Sequence, residues 1–301
     1  MKEIVVHALK IVAPFSVAFI VFAQGLSTDP GRVLDLFEHR PWLLLRVLLA
    51  VLGLVPAAAL AILLGLHPVS GIAIGLAILV SCPPAPLMVS TASSKGASAA
   101  FMVSLHFGLS ALAFVTVPAI LYVLSSALGF EADIDLGKMA WTLARTNLLP
   151  LGFGLIVRHL FPAAADRLAP VLGKAGKAGV LVVVLFLLVS LYPALLNIDT
   201  WSYFTIALVS VSALTIGHFA GPDDPRERAG LAIECGVRHP ALAIAIASAT
   251  LSPSTALLVI FPCVLTLAVI ALVYLAVVPS LYTRAQAALP VRDDFKKRKM
   301  A

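Results

Sequence analysis

Charged residues are scarce in this chain, at 12% of the sequence against about 25% in ordinary soluble domains. Apolar residues make up 61%, and they form the long runs that are typical of a polytopic membrane protein. The basic residues behind the formal charge of +6 are spread between these runs rather than gathered with aromatic residues in one patch. The composition therefore argues against a soluble domain and against a nucleic-acid-binding protein.

Cysteine is also rare, and the three that occur each lie inside an apolar run. Cys82, Cys235 and Cys263 have no metal-ligand spacing such as C-x-x-C, so we expect small buried residues rather than a disulfide or a metal site. No nucleophile–base pair, phosphate-binding loop or cluster of His and Asp stands out. The sequence therefore predicts neither an enzyme nor a protein with an organic cofactor or a resident metal.

Nine apolar segments are long enough for a spanning helix, which needs about 20 mostly apolar residues. They cover residues 4–26, 41–65, 69–94, 97–125, 139–161, 176–196, 200–219, 227–250 and 254–282. We interpret the first as a retained helix rather than a cleaved signal, because Pro14 repeats the pattern of the later spans. The predicted fold class is an all-α polytopic membrane protein with nine transmembrane helices. One integral membrane domain covers residues 1–283, and a basic tail follows at 284–301.

Lys and Arg are concentrated in alternate connections between these spans. The connections on one side hold Arg32, Arg40, Lys95, Arg158, Arg167, Lys174, Lys177, Arg226 and Arg228, together with the tail "RDDFKKRKMA". The opposite connections are poor in basic residues, and "GFEADIDLGK" is acidic. By the positive-inside rule we expect a cytoplasmic C-terminus and an external N-terminus in a plasma membrane, the inner membrane of a bacterium.

Helix breakers interrupt two of the spans. Pro83, Pro84 and Pro86 fall in the third span, and Gly236 and Pro240 fall in the eighth. Proline has no N–H and cannot continue a regular helix. The breaks take corresponding positions in two halves, at about 1–125 and 139–283, which favours an inverted-repeat transporter with its site between the repeats. Two ordinary proline kinks are the alternative interpretation.

The second break carries Glu234, Arg238 and His239 inside an apolar segment. A charge near the bilayer centre costs about 2.5–3.5 kcal/mol, so it is interpreted first as functional. Glu234 and Arg238 are four residues apart and would meet on one face of an intact helix, which makes a structural ion pair the alternative. His239 could carry a proton near neutral pH, or it could be a hydrogen-bonded core residue.

Polar residues beside the first break and on the next helix are further candidates for substrate binding. Hydroxyl residues in such places also serve as close-packing positions between helices. The candidates are Ser90, Thr91, Ser104 and His106.

Several segments together resemble the bile acid:sodium symporter family. They are "FAQGLS", "PWLLLRVLLAVLGLVPAAAL", "CPPAP", "SSKGASAAFMVSL" and "ECGVRHPALA", and the resemblance runs from about residue 8 to 283. It implies two broken helices that cross at the membrane midplane, and inverted five-helix repeats divided into a core and a panel domain. It also implies that the usual first helix of the family is lacking, which leaves nine spans where many bacterial relatives have ten.

The motifs depart from the family pattern at the ion-binding positions. The second motif of the family reads Glu-x-Gly-x-Gln-Asn; Glu234 and Gly236 match it, but Arg238 and His239 replace the two amides. The first motif resembles Cys-Pro-Gly-Gly, with its glycines replaced by Pro84 and Ala85. The chain has only two Gln and two Asn, and we expect none of them near either break: Gln24, Gln286, Asn147 and Asn197.

The resemblance and its departures together predict a secondary transporter of small organic anions. Its sodium sites would be degenerate, with Arg238 in place of the cation, so that transport is sodium-independent or proton-coupled. Glu234, Arg238 and His239 would line the substrate site. Two alternatives stay open. One is a sodium-coupled organic anion or bile acid symporter that uses Glu234 and backbone carbonyls, and the other is a non-transporting membrane sensor or scaffold.

Overall fold

The computed structural model describes residues 2–29, 31, 40–131 and 135–288. Within these ranges the chain is helical and forms no strand, which confirms the predicted all-α class. The helices are α1 (Lys2–Ser27), α2 (Pro41–Leu66), α3 (Ser70–Ser81), α4 (Pro86–Ser94), α5 (Ala99–Leu128), α6 (136–160), α7 (Pro162–Leu196), α8 (Thr200–Ala220), α9 (Pro225–Gly236), α10 (Pro240–Thr250) and α11 (Pro253–Ala288). Two of them contain a widened π-helical turn, the first π-turn at Leu49–Leu54 in α2 and the second π-turn at Ala144–Leu148 in α6.

Aspartate caps mark where several helices begin. Asp135, Asp199 and Asp224 each accept a hydrogen bond from a backbone N–H of the first turn that follows. These bonds satisfy donors that have no partner inside the helix. Asp199 also accepts from the hydroxyl of Ser202, and these two bonds hold the pKa of the Asp199 carboxyl below its ordinary value of 3.8. The caps fix the outer ends of α6, α8 and α9.

Large apolar side chains cover the outside of the molecule. Phe15, Trp42, Val189 and Phe219 are all well exposed, as is expected where the surrounding medium is hydrocarbon rather than water. Five helical stretches of the described residues are long and apolar enough to cross a membrane: Pro41–Leu66, Phe101–Leu128, Pro162–Leu196, Thr200–Ala220 and Pro253–Val278. The chain is therefore a multi-pass membrane protein.

Two of the remaining apolar helices are short. Ser70–Ser81 and Pro240–Ala249 are each below the length needed to cross a membrane alone. The third and eighth predicted spans are each present as two short helices, α3 with α4 and α9 with α10. The count of nine spans, the single domain at 1–283 and the inverted repeat stay predictions. Arg32 and most of the basic tail lie outside the described residues.

The helices pack into two groups. α1 lies against α7 and the second half of α6, and the other helices pack mainly against one another. Gly25 of α1 and Gly154 of α6 lie so close that a Cβ on Gly154 would be 2.8 Å from the Gly25 Cα. Glycine lets these two backbones touch, which draws α1 tightly onto α6.

Three of the base-rich connections meet at one end of the molecule. Arg40, just before α2, binds both carboxylate oxygens of Glu227 at 2.8 and 2.7 Å. The Ser98 N–H, just before α5, donates to the Arg226 carbonyl. These contacts agree with the prediction that the connections before α2, α5 and α9 share one side of the membrane.

Candidate functional site

The two breaks meet inside the molecule and pair through their backbones. The Ala85 N–H donates to the Val237 carbonyl at 3.2 Å, and the His239 N–H donates to the Pro83 carbonyl at 2.8 Å. Pro84 and Arg238 face each other as an antiparallel bridge. We call residues 82–85 and 237–239 the crossover. Each segment thus gives the other the hydrogen bonds that its interrupted helix lacks, as backbone at membrane depth requires.

Proline explains why the backbone is extended at the crossover. Cys82, Ala85 and His239 each precede a proline and have ψ values of 153°, 124° and 104°. The ring of a proline disfavours helical conformation in the residue before it. Pro86 and Pro240 then occupy the first positions of α4 and α10, where a missing N–H is tolerated. The predicted breaks at Pro83, Pro84, Pro86, Gly236 and Pro240 therefore coincide with the ends of the four short helices.

Arg238 bridges the crossover and α2. Its side chain is 3% exposed, and the guanidinium donates to the Cys82 carbonyl and the Val51 carbonyl, both at 3.3 Å. The first π-turn makes the Val51 carbonyl available, because the Val55 N–H bonds to Ala50 and Pro56 has no N–H. A cationic side chain thus joins two backbone carbonyls from separate helices.

The ion pair between Glu234 and Arg238, the alternative interpretation of their spacing, is not among the described contacts. α9 ends at Gly236, so the i, i+4 geometry of an intact helix does not extend to Arg238. Among the described contacts, the carboxylate of Glu234 faces the imidazole of His106, with 3.8 Å between Oε2 and Nδ1. That distance is too long for a hydrogen bond. Both ring nitrogens of His106 and Oε2 of Glu234 are buried without a hydrogen-bond partner.

His239 joins the crossover to α6. Its Nδ1 accepts from the Leu242 N–H at 3.2 Å and caps α10, while its Nε2 lies 3.3 Å from the Thr146 hydroxyl. Thr146 donates its own hydrogen to the Thr142 carbonyl, so it accepts from His239. These partners assign a neutral imidazole with the proton on Nε2. A second proton would have to sit on Nδ1, against the Leu242 N–H, so His239 is suited to a structural role rather than to carrying a proton.

The remaining predicted site residues lie on α4 and α5. Ser90 and Thr91 are half-buried, and their hydroxyls donate to the Leu87 carbonyl in their own helix at 3.2 and 3.0 Å. Ser104 is buried on α5, two residues before His106. The structure thus places His106 beside Glu234 and His239 beside α6, whereas Ser90 and Thr91 bond within α4.

Two amide residues that were expected to be far from the breaks lie close to the crossover. Gln24 of α1 donates to the carbonyl of Pro86, the first residue of α4, at 2.6 Å. Asn147 is buried on the second π-turn, next to the Thr146 that contacts His239. That expectation was wrong because it considered distance along the chain, and α1 and α6 are brought to the crossover only by packing. The sequence signal that could have found them is an amide inside an otherwise apolar span.

The three cysteines occupy the small buried positions that the sequence predicted. Cys82, Cys235 and Cys263 are free and buried. Across the described residues no group of His, Cys, Asp and Glu could hold a metal ion.

The sequence model of the Sodium Bile acid symporter family matches residues 14–198. This range contains the first break and the second π-turn, and the segment with Glu234, Arg238 and His239 lies beyond it. No curated protein matches the chain. The match confirms the resemblance drawn from the motifs and covers more than half of the chain, so this protein belongs to the sodium bile acid symporter family of membrane transporters.

Proposed function

We propose that this chain is a secondary transporter of small organic anions that works without sodium. The observation that carries the proposal is the position of Arg238, whose guanidinium donates to the Cys82 and Val51 carbonyls. Hard cations bind to carbonyl and carboxylate oxygens. At this crossover the guanidinium of Arg238, a cation that is part of the chain, already binds two such carbonyls. A sodium ion placed there would be repelled by the guanidinium and would have to compete for the same oxygens.

The same features favour an anionic substrate. α4 and α10 both begin at the crossover, so their N-terminal N–H groups point toward it. A helix N-terminus carries a partial positive charge and attracts anions. Arg238 adds a full positive charge between the two helices. Ser90 and Thr91, in the second turn of α4, and the buried Ser104 of α5 complete the polar groups proposed to line the substrate path.

Alternating access is proposed to occur between two bodies. α1, α6 and α7 would form the panel, and the remaining helices, which include the crossover, would form the core. The packing supports this division, because α1 lies mainly against α6 and α7. Two hydrogen bonds join these bodies: the Gln24 amide donates to the Pro86 carbonyl, and the His239 imidazole donates to the Thr146 hydroxyl. The antiparallel bridge at the crossover is also what an inverted repeat would produce.

Proton coupling is assigned to the Glu234–His106 pair rather than to His239. Both side chains are buried, and Oε2 of the carboxylate faces Nδ1 of the imidazole without a hydrogen bond. Among the described residues, the charged neighbour of Glu234 is Arg238, and the titratable neighbour of His106 is His239, whose imidazole is neutral. A proton taken up by this pair would neutralise a buried carboxylate and make the charge of Arg238 available to the substrate.

The chain is proposed to lie in the plasma membrane of a bacterium with its C-terminus in the cytoplasm and its N-terminus outside. The support is the meeting of the base-rich connections before α2, α5 and α9 at one end. By the positive-inside rule that end is cytoplasmic.

Uptake into proteoliposomes with sodium replaced by choline tests the proposal. We expect the wild-type rate to change less than about twofold, because the charge at the crossover is part of the chain. Arg238→Gln would remove that charge and return an amide to the position, so sodium should then stimulate uptake. Arg238→Lys keeps a cation and should stay independent of sodium.

Arg46→Gln is the matched control, because Arg46 also donates to a backbone carbonyl, that of Gly221, away from the crossover. It should show no sodium stimulation. Strict sodium dependence of the wild type would refute the proposal and favour a sodium-coupled symporter, for which the unpaired Oε2 of Glu234 is the observation in support.

A further inference from the structure

Asn147 is a buried amide without partners. The residue is 1% exposed, and neither its Nδ2 nor its Oδ1 makes a hydrogen bond. Burying an amide without hydrogen bonds is unfavourable, whereas leucine of similar size would be favourable at a buried position in a membrane helix. Packing alone therefore does not explain an asparagine here. Its donor and its acceptor are both available to a molecule that is not part of the chain.

The second π-turn places Asn147 where the two proposed bodies meet. This turn packs against α1 and α5. Thr146, the preceding residue, contacts His239 of the crossover, and Gln24 of α1 bonds to the start of α4. Asn147 therefore lies in the layer between the panel helices and the crossover, which is the region through which a substrate would pass in alternating access.

Asn147 differs from the other polar groups of this layer. The amide N–H of Gln24 is engaged by the Pro86 carbonyl. Thr146 donates to Thr142 and accepts from His239. These two side chains hold helices in place, whereas both atoms of the Asn147 amide can still bind a ligand.

We propose that Asn147 binds the transported anion and selects acids that carry a neutral hydrogen-bond donor, a hydroxyl or an amide N–H, next to the carboxylate. The inference rests on the proposed function. The Nδ2 group donates to the carboxylate, and Oδ1 accepts from the neighbouring donor. An acid without this neighbouring donor offers only hydrogen-bond acceptors, so the Oδ1 atom of Asn147 would have no partner in the complex. A site that hydrogen-bonds a substrate donor discriminates strongly against an analogue that lacks it.

Calorimetric binding of two matched pairs of acids to the purified protein tests this selection. Lactate and propionate differ by a hydroxyl, and N-acetylglycine and 4-oxopentanoate differ by an amide N–H in place of a CH₂. We expect the wild type to bind lactate more tightly than propionate, or N-acetylglycine more tightly than 4-oxopentanoate, by at least about tenfold. A preference in the first pair identifies a hydroxyl donor, and a preference in the second pair identifies an amide donor. Asn147→Leu should reduce the preference to within about twofold, and Asn197→Leu, at the exposed end of α7, should leave it unchanged.

The thermal midpoint of the Asn147→Leu protein separates a binding role from a structural one. Removing two unpaired buried atoms should leave the midpoint equal to or above that of the wild type. A lowered midpoint would show that the amide stabilises the fold and would overturn the inference. Binding without a donor preference, or a preference that persists in Asn147→Leu, would overturn this inference alone. Failure of the wild type to bind any of the four acids would overturn the proposed function with it.

Discussion

Arg238 and His239 are consecutive residues that contact opposite sides of the crossover. The guanidinium reaches the first π-turn at Val51, and the imidazole reaches the second π-turn at Thr146. In an extended backbone successive side chains point in opposite directions, whereas in a helix they lie about 100° apart. The break at Gly236 therefore lets two adjacent residues connect the crossover to α2 and to α6 at once.

The Glu234–His106 pair predicts how transport responds to pH. If this pair binds the coupled proton, acidifying the outside should speed the uptake of an anion into proteoliposomes, because protons then flow inward with the substrate. Glu234→Gln cannot take up that proton, so the stimulation by a pH gradient should be lost. Exchange of labelled for unlabelled substrate at equal pH should remain. His106→Asn should weaken the response in the same direction.

His67→Asn is the matched control for His106→Asn. His67 is exposed at the end of α2 with a φ of 47°, a left-handed conformation that asparagine tolerates well. Its replacement should not alter the response to pH. A pH response that survives in both Glu234→Gln and His106→Asn would show that the proton binds elsewhere.

Each π-turn is followed by a proline that prevents the helix from closing its own hydrogen bonds. In α2 the Val55 N–H bonds to Ala50 and Pro56 follows; in α6 the Leu149 N–H bonds to Ala144 and Pro150 follows. π-Helical turns of this kind occur frequently at functional sites. The element is thus built so that a backbone carbonyl faces outward from the helix, and in α2 that carbonyl binds Arg238.

Pro56→Ala tests this role of the π-turn. The new N–H would compete with Arg238 for the Val51 carbonyl, so the transport rate should fall severalfold although alanine favours the helix. Pro118→Ala is the control, because Pro118 also lies inside a spanning helix but makes no contact with Arg238 in the described structure. It should raise the thermal midpoint and leave transport unchanged. Equal effects of the two substitutions on transport would contradict the assignment.

Asp199 predicts a pH-dependent contribution to the stability of α8. Bonds from Ser202 hold the pKa of this carboxyl below 3.8, so their stabilising effect is complete above that pH and is lost as the pH falls through the lower folded-state value. Asp199→Ala should therefore lower the thermal midpoint at neutral pH, and the difference from wild type should shrink in acid below about pH 3.8. Asp199→Asn keeps a capping oxygen but has no charge to titrate, so its midpoint should lie between those of the wild type and Asp199→Ala at neutral pH and should not show the loss in acid.

At the scale of the whole molecule, the three native cysteines allow the orientation to be measured. All are free and buried, so they should react slowly with a membrane-impermeant maleimide. Lys95→Cys, on the side predicted to be cytoplasmic, should be labelled only after the cells are opened. His67→Cys, in the connection on the opposite side, should be labelled in intact cells. The reverse pattern would invert the proposed orientation, and the unsubstituted protein gives the background.

The sequence was sufficient for the features that depend on local composition. Apolar runs predicted the helices, and Pro83, Pro84, Pro86 and Pro240 predicted both breaks, because a missing N–H acts within a few residues of the proline. It was insufficient for the partners of buried side chains. The spacing of Glu234 and Arg238 allowed an ion pair as the alternative interpretation, whereas Arg238 donates to the carbonyl of Val51, a residue 187 positions away in the chain.

The sequence by itself thus determined that this is a helical membrane protein with two interrupted spans, and its motifs indicated the family. The tertiary structure decided which groups meet at the crossover, including the two amides of Gln24 and Asn147 that distance along the chain had set aside. The physical reason is that helix formation and breakage are local, whereas the hydrogen-bond partner of a buried polar group depends on which distant helix packs beside it.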